Sequence, residues 1–134
     1  MPSLVQGASA LHIAAIAGHS RVVRTLLAAG ASPWLPGVAG MLPLHMAAAK
    51  SHLAAVRLLL QAAPTAAAAL DEHGRCPLHF AADKGATAVV RALLAAAPQA
   101  ARIKTHHDAE SPLFMAVRQG QDAVVSLTAK WRCS

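Results

Sequence analysis

The groups in this chain that could do chemistry are eight histidines, two cysteines and six acidic residues. Histidine binds transition metals or moves protons near neutral pH, and a thiolate is a nucleophile. His12, His45 and His79 stand in near-identical surroundings, "ALHIAA", "PLHMAA" and "PLHFAA". They recur 33 and 34 residues apart, once per unit of sequence. Packed helices lie roughly 8–10 Å apart, whereas zinc needs every ligand within about 2.0–2.3 Å. These histidines therefore cannot share one ion. Their expected role is to hydrogen-bond loop backbone and tie neighbouring units together.

His106, His107 and Asp108 form a local cluster of metal-capable groups. Adjacent side chains on an extended loop tip point to opposite sides, and no His/Cys pair follows at ligand spacing. The cluster reads as solvated loop. Cys76 stands at a helix start, a place that can lower a thiol pKa. The acidic residues show no paired spacing suited to catalysis, Asp71-Glu72 being a loop start, and no glycine-rich phosphate loop follows a strand. The sequence thus offers no catalytic, cofactor-binding or metal site.

The elements that carry these residues form a repeat. "SALHIAAIAGHS" at 9–20, "LPLHMAAAKSHL" at 42–53, "CPLHFAADKGAT" at 76–87 and "SPLFMAVRQGQD" at 111–122 align on His12, His45, His79 and Phe114. Each copy is followed by a second apolar block, such as "RVVRTLLAAG" at 21–30 and "AVVRALLAAA" at 88–97. Periods of 33 to 35 residues signal a repeat array. Leu11, Ala14 and Ala15 fall at i, i+3 and i+4, as do Val23, Leu26 and Leu27 in the second block, so both blocks read as helices. Ser9 and Ser111 occupy N-cap positions. Pro43, Pro77 and Pro112 fall at the first helical position, where a missing N–H is harmless. Gly18, Gly85 and Gly120 close the first helices, and Ser51 replaces that glycine in the second copy. Pro64 and Pro98 each start one extra helical turn after the second helix.

Composition agrees. Hydrophobic residues make up 55% of the 134 and charged residues 13%, which excludes disorder by polarity. Aromatics are only 3%, so the core must be closely packed helices with small side chains. Arg57 and Pro64 interrupt the longest apolar stretches, leaving no membrane span. Two cysteines are too few for a disulfide framework, and Pro2-Ser3-Leu4 does not begin a signal peptide. An intracellular protein, cytoplasmic or nuclear, is expected. The net charge of +6 permits contact with nucleic acid or an anionic membrane without establishing it.

From about Leu4 to Trp131 the chain resembles the ankyrin repeat family. "CPLHFAADKG" and "LPLHMAA" are close to the family's Thr-Pro-Leu-His-x-Ala-Ala helix start, and "HSRVVRTLLAAGAS" to its second helix and exit. The resemblance implies an all-α solenoid of four helix-turn-helix repeats, at about 4–36, 37–70, 71–105 and 106–134, with projecting β-hairpin-like loops in one domain. It implies a non-enzymatic adaptor or scaffold that binds a protein partner, without cofactor, through loop tips and first helices. The family's threonine is Ser9, Leu42, Cys76 and Ser111 here. His45 should therefore lack a hydroxyl partner, and His79 should have only a thiol. Cys76 then reads as a packed structural residue.

Carried over residue by residue, the binding surface comprises Trp34, Val38 and Met41, then Lys50, then Glu72, His73 and Arg75. Asp83 and Lys84 follow, then His107, Asp108 and Glu110, then Arg118 and Gln119. The first half of this face is apolar and the second half charged. Repeat four looks capped by Ser126, Thr128, Lys130 and Arg132, whereas repeat one lacks the polar outer face a terminal repeat needs. A monomer is expected, with self-association through that apolar repeat as one alternative. A second alternative is a segment of a larger regulatory protein. Arg24, Arg57 and Arg91 form an outward ladder that could meet phosphates, so nucleic acid is the competing partner.

Overall fold

The structure is a computed structural model that describes residues 9–105, 110–122, 124 and 125. It contains the helices α1 (Ala10–Ala17), α2 (Ser20–Ala28), α3 (Pro43–Ala49), α4 (Leu53–Ala62), α5 (Pro77–Lys84), α6 (Thr87–Ala96) and α7 (Pro112–Arg118). Short 3₁₀ turns lie at Val38–Gly40, Pro64–Ala68 and Pro98–Arg102. No strand occurs among the described residues. No helix there is long and apolar enough to cross a membrane.

Each helix pair is antiparallel by its tight connection, and the pairs stack in chain order. The first helices α1, α3, α5 and α7 pack in one row, and the second helices α2, α4 and α6 in another. Leu11, Leu44 and Leu78 are buried at 0–1% exposure between the rows, with Val23, Val56 and Val90 opposite. Alanine makes the close approach possible. Ala15, Ala47, Ala48, Ala81, Ala82 and Ala116 are all fully buried.

The helix ends follow the local chemistry. Ser9 Oγ accepts from the His12 backbone N–H, and Ser111 Oγ accepts from that of Phe114, each at 3.2 Å. Pro43, Pro77 and Pro112 open α3, α5 and α7. Gly18 and Gly85 end α1 and α5 at φ +76° and +74°, in the left-handed region where a Cβ is unfavourable. Ser51 takes the same conformation at φ +62°. The turns after Pro64 and Pro98 bury Ala66, Ala67, Ala100 and Ala101 beside the next repeat, which accounts for the longer periods.

The loops are hairpin-like in closure but carry no strand ladder among the described residues. Backbone bonds close them: Gly37 N–H to Met41 O at 2.8 Å, Asp71 N–H to Arg75 O at 2.9 Å, and Thr105 N–H to Glu110 O at 3.0 Å. The first two loops are joined by the Glu72 N–H donating to Ala39 O at 2.9 Å. His106, His107, Asp108 and the polar residues 126–132 lie outside the described residues.

Candidate functional site

His12, His45 and His79 are fully buried, and each does the same work. Nδ1 of each ring accepts the N–H of its own helix cap: Ser9 at 3.2 Å, Leu42 at 3.0 Å and Cys76 at 3.0 Å. That acceptor role leaves the proton on Nε2. Nε2–H then donates to the carbonyl that precedes the next repeat's cap: Met41 at 3.0 Å, Arg75 at 3.0 Å and Glu110 at 2.9 Å. His45 also reaches Ala69 O at 3.0 Å. Burial holds all three pKa values below the ordinary 6.5, against a partial pull upward from these carbonyls. They are neutral struts, and each pins one first helix to the following loop. His12 has the Ser9 hydroxyl at 2.7 Å, His79 has the Cys76 thiol at 3.2 Å, and His45 has neither, as the cap residues dictate.

A second bridge was not read from the sequence. His52 Nε2–H donates to Ile16 O at 3.0 Å, and Gln121 Nε2 donates to Asp83 O at 3.0 Å. Both donors follow the residue that ends their own first helix, and both reach the end of the preceding one.

The pinned loops and the first helices enclose a cleft of about 420 Å³ between α5 and α7. His73 and Arg75 contribute from the loop before α5, and His79, Phe80 and Asp83 from α5. Thr105 and Glu110 come from the next loop, and Met115 and Arg118 from α7. The half-buried Phe80 and Met115 give the cleft apolar surface. Phe80 is fixed edge-on against the His45 ring, with centroids 5.8 Å apart, and the Arg75 guanidinium lies 4.7 Å over its face.

The rim charges are paired. Arg75 Nε donates to the buried Asp71 carboxylate at 2.9 Å. The other Asp71 oxygen accepts the N–H groups of His73 and Arg75, each at 2.9 Å. Burial alone would raise the Asp71 pKa, but these bonds and the Arg75 charge outweigh it and hold the pKa below 3.8. Arg118 binds Glu110 and also lies 5.8 Å from the Phe114 ring centre. Gln119 Nε2 donates to Asp83 at 3.0 Å.

The structure brings His73, Arg75, Asp83, Glu110 and Arg118 together in this cleft. Glu110 differs from the expected exposed contact. It is only 8% exposed, because its carboxylate turns inward to Arg118. Met41 is half-buried and contributes its carbonyl to His12. Trp34, Val38, Lys50, Glu72, Lys84 and Gln119 are exposed but do not line the cleft. Phe80 and Met115 were missed, although Ile13, Met46, Phe80 and Met115 recur at the repeat spacing directly after the aligned position. Arg24, Arg57 and Arg91 are exposed, as their ladder predicts.

Chemically the cleft offers an aromatic face, a thioether and charges held in fixed positions. Cys76 is fully buried, and its burial pushes the thiol pKa up to about 11, well away from a reactive thiolate. Among the described residues no three His, Cys, Asp or Glu groups are arranged to hold a metal ion.

A family model described as ankyrin repeats (3 copies) matches residues 11–106. No curated protein matches the chain.

Proposed function

The chain belongs to the ankyrin repeat family, and from that premise we propose that it is a non-enzymatic adaptor whose protein partner seats in the cleft between α5 and α7. The single observation behind this reading is the convergence around Phe80 and Met115 of five contact residues expected from the family resemblance. Apolar anchors in a walled cleft supply affinity, and flanking charges set register and selectivity. Exposed neighbours at Glu72, Lys84 and Gln119 extend the surface, and the family resemblance adds Trp34, Val38, Met41 and Lys50. His107 and Asp108 join the list from sequence alone. One domain of four repeats carries this surface, in the cytoplasm or nucleus.

The test is affinity capture from a native cell extract, with mass spectrometry of what is retained. The parent is compared with a folded variant carrying Phe80→Ala, Asp83→Ala and Met115→Ala, and with one carrying Arg24→Ala, Arg57→Ala and Arg91→Ala. A protein retained by the parent and by the arginine variant, but lost by the cleft variant, supports the reading. Salt-sensitive retention of nucleic acid that only the arginine variant loses would overturn it in favour of the outer ladder.

A further inference from the structure

The charges around the cleft between α5 and α7 do not cancel. Arg75 is matched by the buried Asp71. Arg118 is matched by Glu110. Both guanidinium groups are thereby held by carboxylates of the loops. Asp83 has no salt bridge among the described residues. Its Oδ1 accepts from Gln119 Nε2 at 3.0 Å, and the amide is a neutral donor. That bond fixes the carboxylate without neutralising it. Lys84 follows in the chain but does not line the cleft. Two matched pairs and one unmatched carboxylate leave this region negative, in a chain whose net charge is +6.

The other repeats do not reproduce this arrangement. The position of Asp83 is Ile16 in repeat one, Ala49 in repeat two and Arg118 in repeat four. The position of Met115 is Met46 on α3, and Met46 is only 5% exposed. Met115 is half-buried and lines the cleft.

The order of the groups defines what fits. Phe80 and Asp83 stand three residues apart on α5, so their side chains share one face of that helix. Both line the cleft, with Met115 on α7. The site is an apolar wall that ends at a fixed anion. A long aliphatic stem with a cation at its tip matches that order, because such stems cover apolar surface while the charged head stays outside it. The two basic side chains differ here. Arginine recognises a carboxylate best through two parallel N–H···O bonds. Gln119 already engages Oδ1, and the Arg75 guanidinium already lies over the Phe80 ring. A compact ammonium needs one oxygen, and Oδ2 supplies it.

We propose that this cleft receives a lysine side chain of the partner, with its stem against Phe80 and Met115 and its ammonium on the Asp83 carboxylate. The assignment rests on the reading of the cleft as the partner's seat. It adds the chemistry that the partner must present there.

The test pans a phage-displayed library of random linear peptides against the full chain. Peptides that also bind a folded variant carrying Phe80→Ala and Met115→Ala are discarded. The remainder should share one lysine. A synthetic peptide from that set should lose about tenfold or more in affinity when the lysine is replaced by norleucine, which keeps the stem and removes the charge. Asp83→Asn keeps an acceptor for Gln119 and removes the anion. Asp83 is exposed, so this variant should melt with the parent. It should weaken the lysine peptide by a similar factor and leave the norleucine peptide almost unchanged, so the two changes are non-additive. Cleft-dependent peptides without a shared lysine, or an additive cycle, would overturn the lysine and leave the cleft as the partner's seat. An arginine replacement that binds more tightly would do the same. If no peptide distinguishes the parent from the Phe80→Ala and Met115→Ala variant, the cleft is not the seat and both readings fail.

Discussion

The Nδ1 atom of His52 lies 2.6 Å from the point that a Cβ on Gly18 would occupy. The imidazole rests on the end of α1 and donates to Ile16 O from its far nitrogen. Gln121 covers Gly85 in the same manner. Glycine is thus required twice at Gly18, by its φ of +76° and by its neighbour's ring. At the intervening junction the terminator is Ser51, and the residue in register with His52 is Ala86, which is too short to cover it.

Gly18→Ala should therefore cost more than the roughly 1–2 kcal/mol of a left-handed alanine. In a His52→Ala background the penalty should fall back to that range. Urea melts of the four proteins in the double-mutant cycle measure this. Equal penalties in both backgrounds would mean that the ring moves aside freely. Ser51→Gly, with nothing bulky above it, should stabilise by about 0.5–1 kcal/mol after the entropy lost to glycine's freer unfolded state.

Leu78 is fully buried on α5, between the two rows of helices. Leu78→Ala should cost about 2–5 kcal/mol, since it removes apolar contact and leaves a cavity. A loss within about 0.5 kcal/mol, as at surface sites, would contradict the placement of α5 in the core. Chemical denaturation of parent and variant with equal slopes gives the comparison.

The fold was legible because each repeat states the same local chemistry. Proline at the helix start and histidine two residues later each recur in three repeats, and the terminator position recurs in all four, so several weak signals become one strong one. The struts were legible too, since a recurring buried histidine needs a recurring partner. The cleft was legible only in part. The resemblance carries the family's contact positions onto His73, Arg75, Asp83, Glu110 and Arg118, so these were named from sequence. Phe80 and Met115 were not named, because an apolar residue on an amphipathic helix carries no mark of which side it faces. The inward turn of Glu110 depends on Arg118, eight residues on at the far end of α7, which no local pattern encodes. The His52–Gly18 bridge spans two repeats and shows only when the terminator of one unit is read against the cap of the next.

Cys76 has no exposed surface, and burial lifts its thiol pKa to about 11. In a Cys133→Ser background, native protein at pH 8 should react with a thiol-specific disulfide reagent only as fast as it opens. Addition of denaturant should release one thiol equivalent at once. Full reaction within seconds under native conditions would show that the junction beside Ala100 breathes, and would remove the packed role assigned to this residue.

The strut histidines make the fold acid-sensitive in one direction. Burial lowers the folded pKa of His12, His45 and His79 below the unfolded value of 6.5. Between the folded values and 6.5 the unfolded chain binds more protons than the native one, so stability rises with pH there. The contribution is fully present above pH 6.5 and is lost as the pH falls through the folded values. The structural cause is specific: protonation would place a second N–H on Nδ1, facing the cap N–H that it now accepts. Urea midpoints measured from pH 7.5 down to 5 should fall steadily, over a range where Asp71 stays ionised. His45→Gln, which keeps a donor and an acceptor but does not titrate, should flatten part of that slope. A midpoint that is constant or rises on acidification would show that the imidazoles are protonated in the native stack, contrary to the Nε2–H tautomer that ties each helix to the next loop.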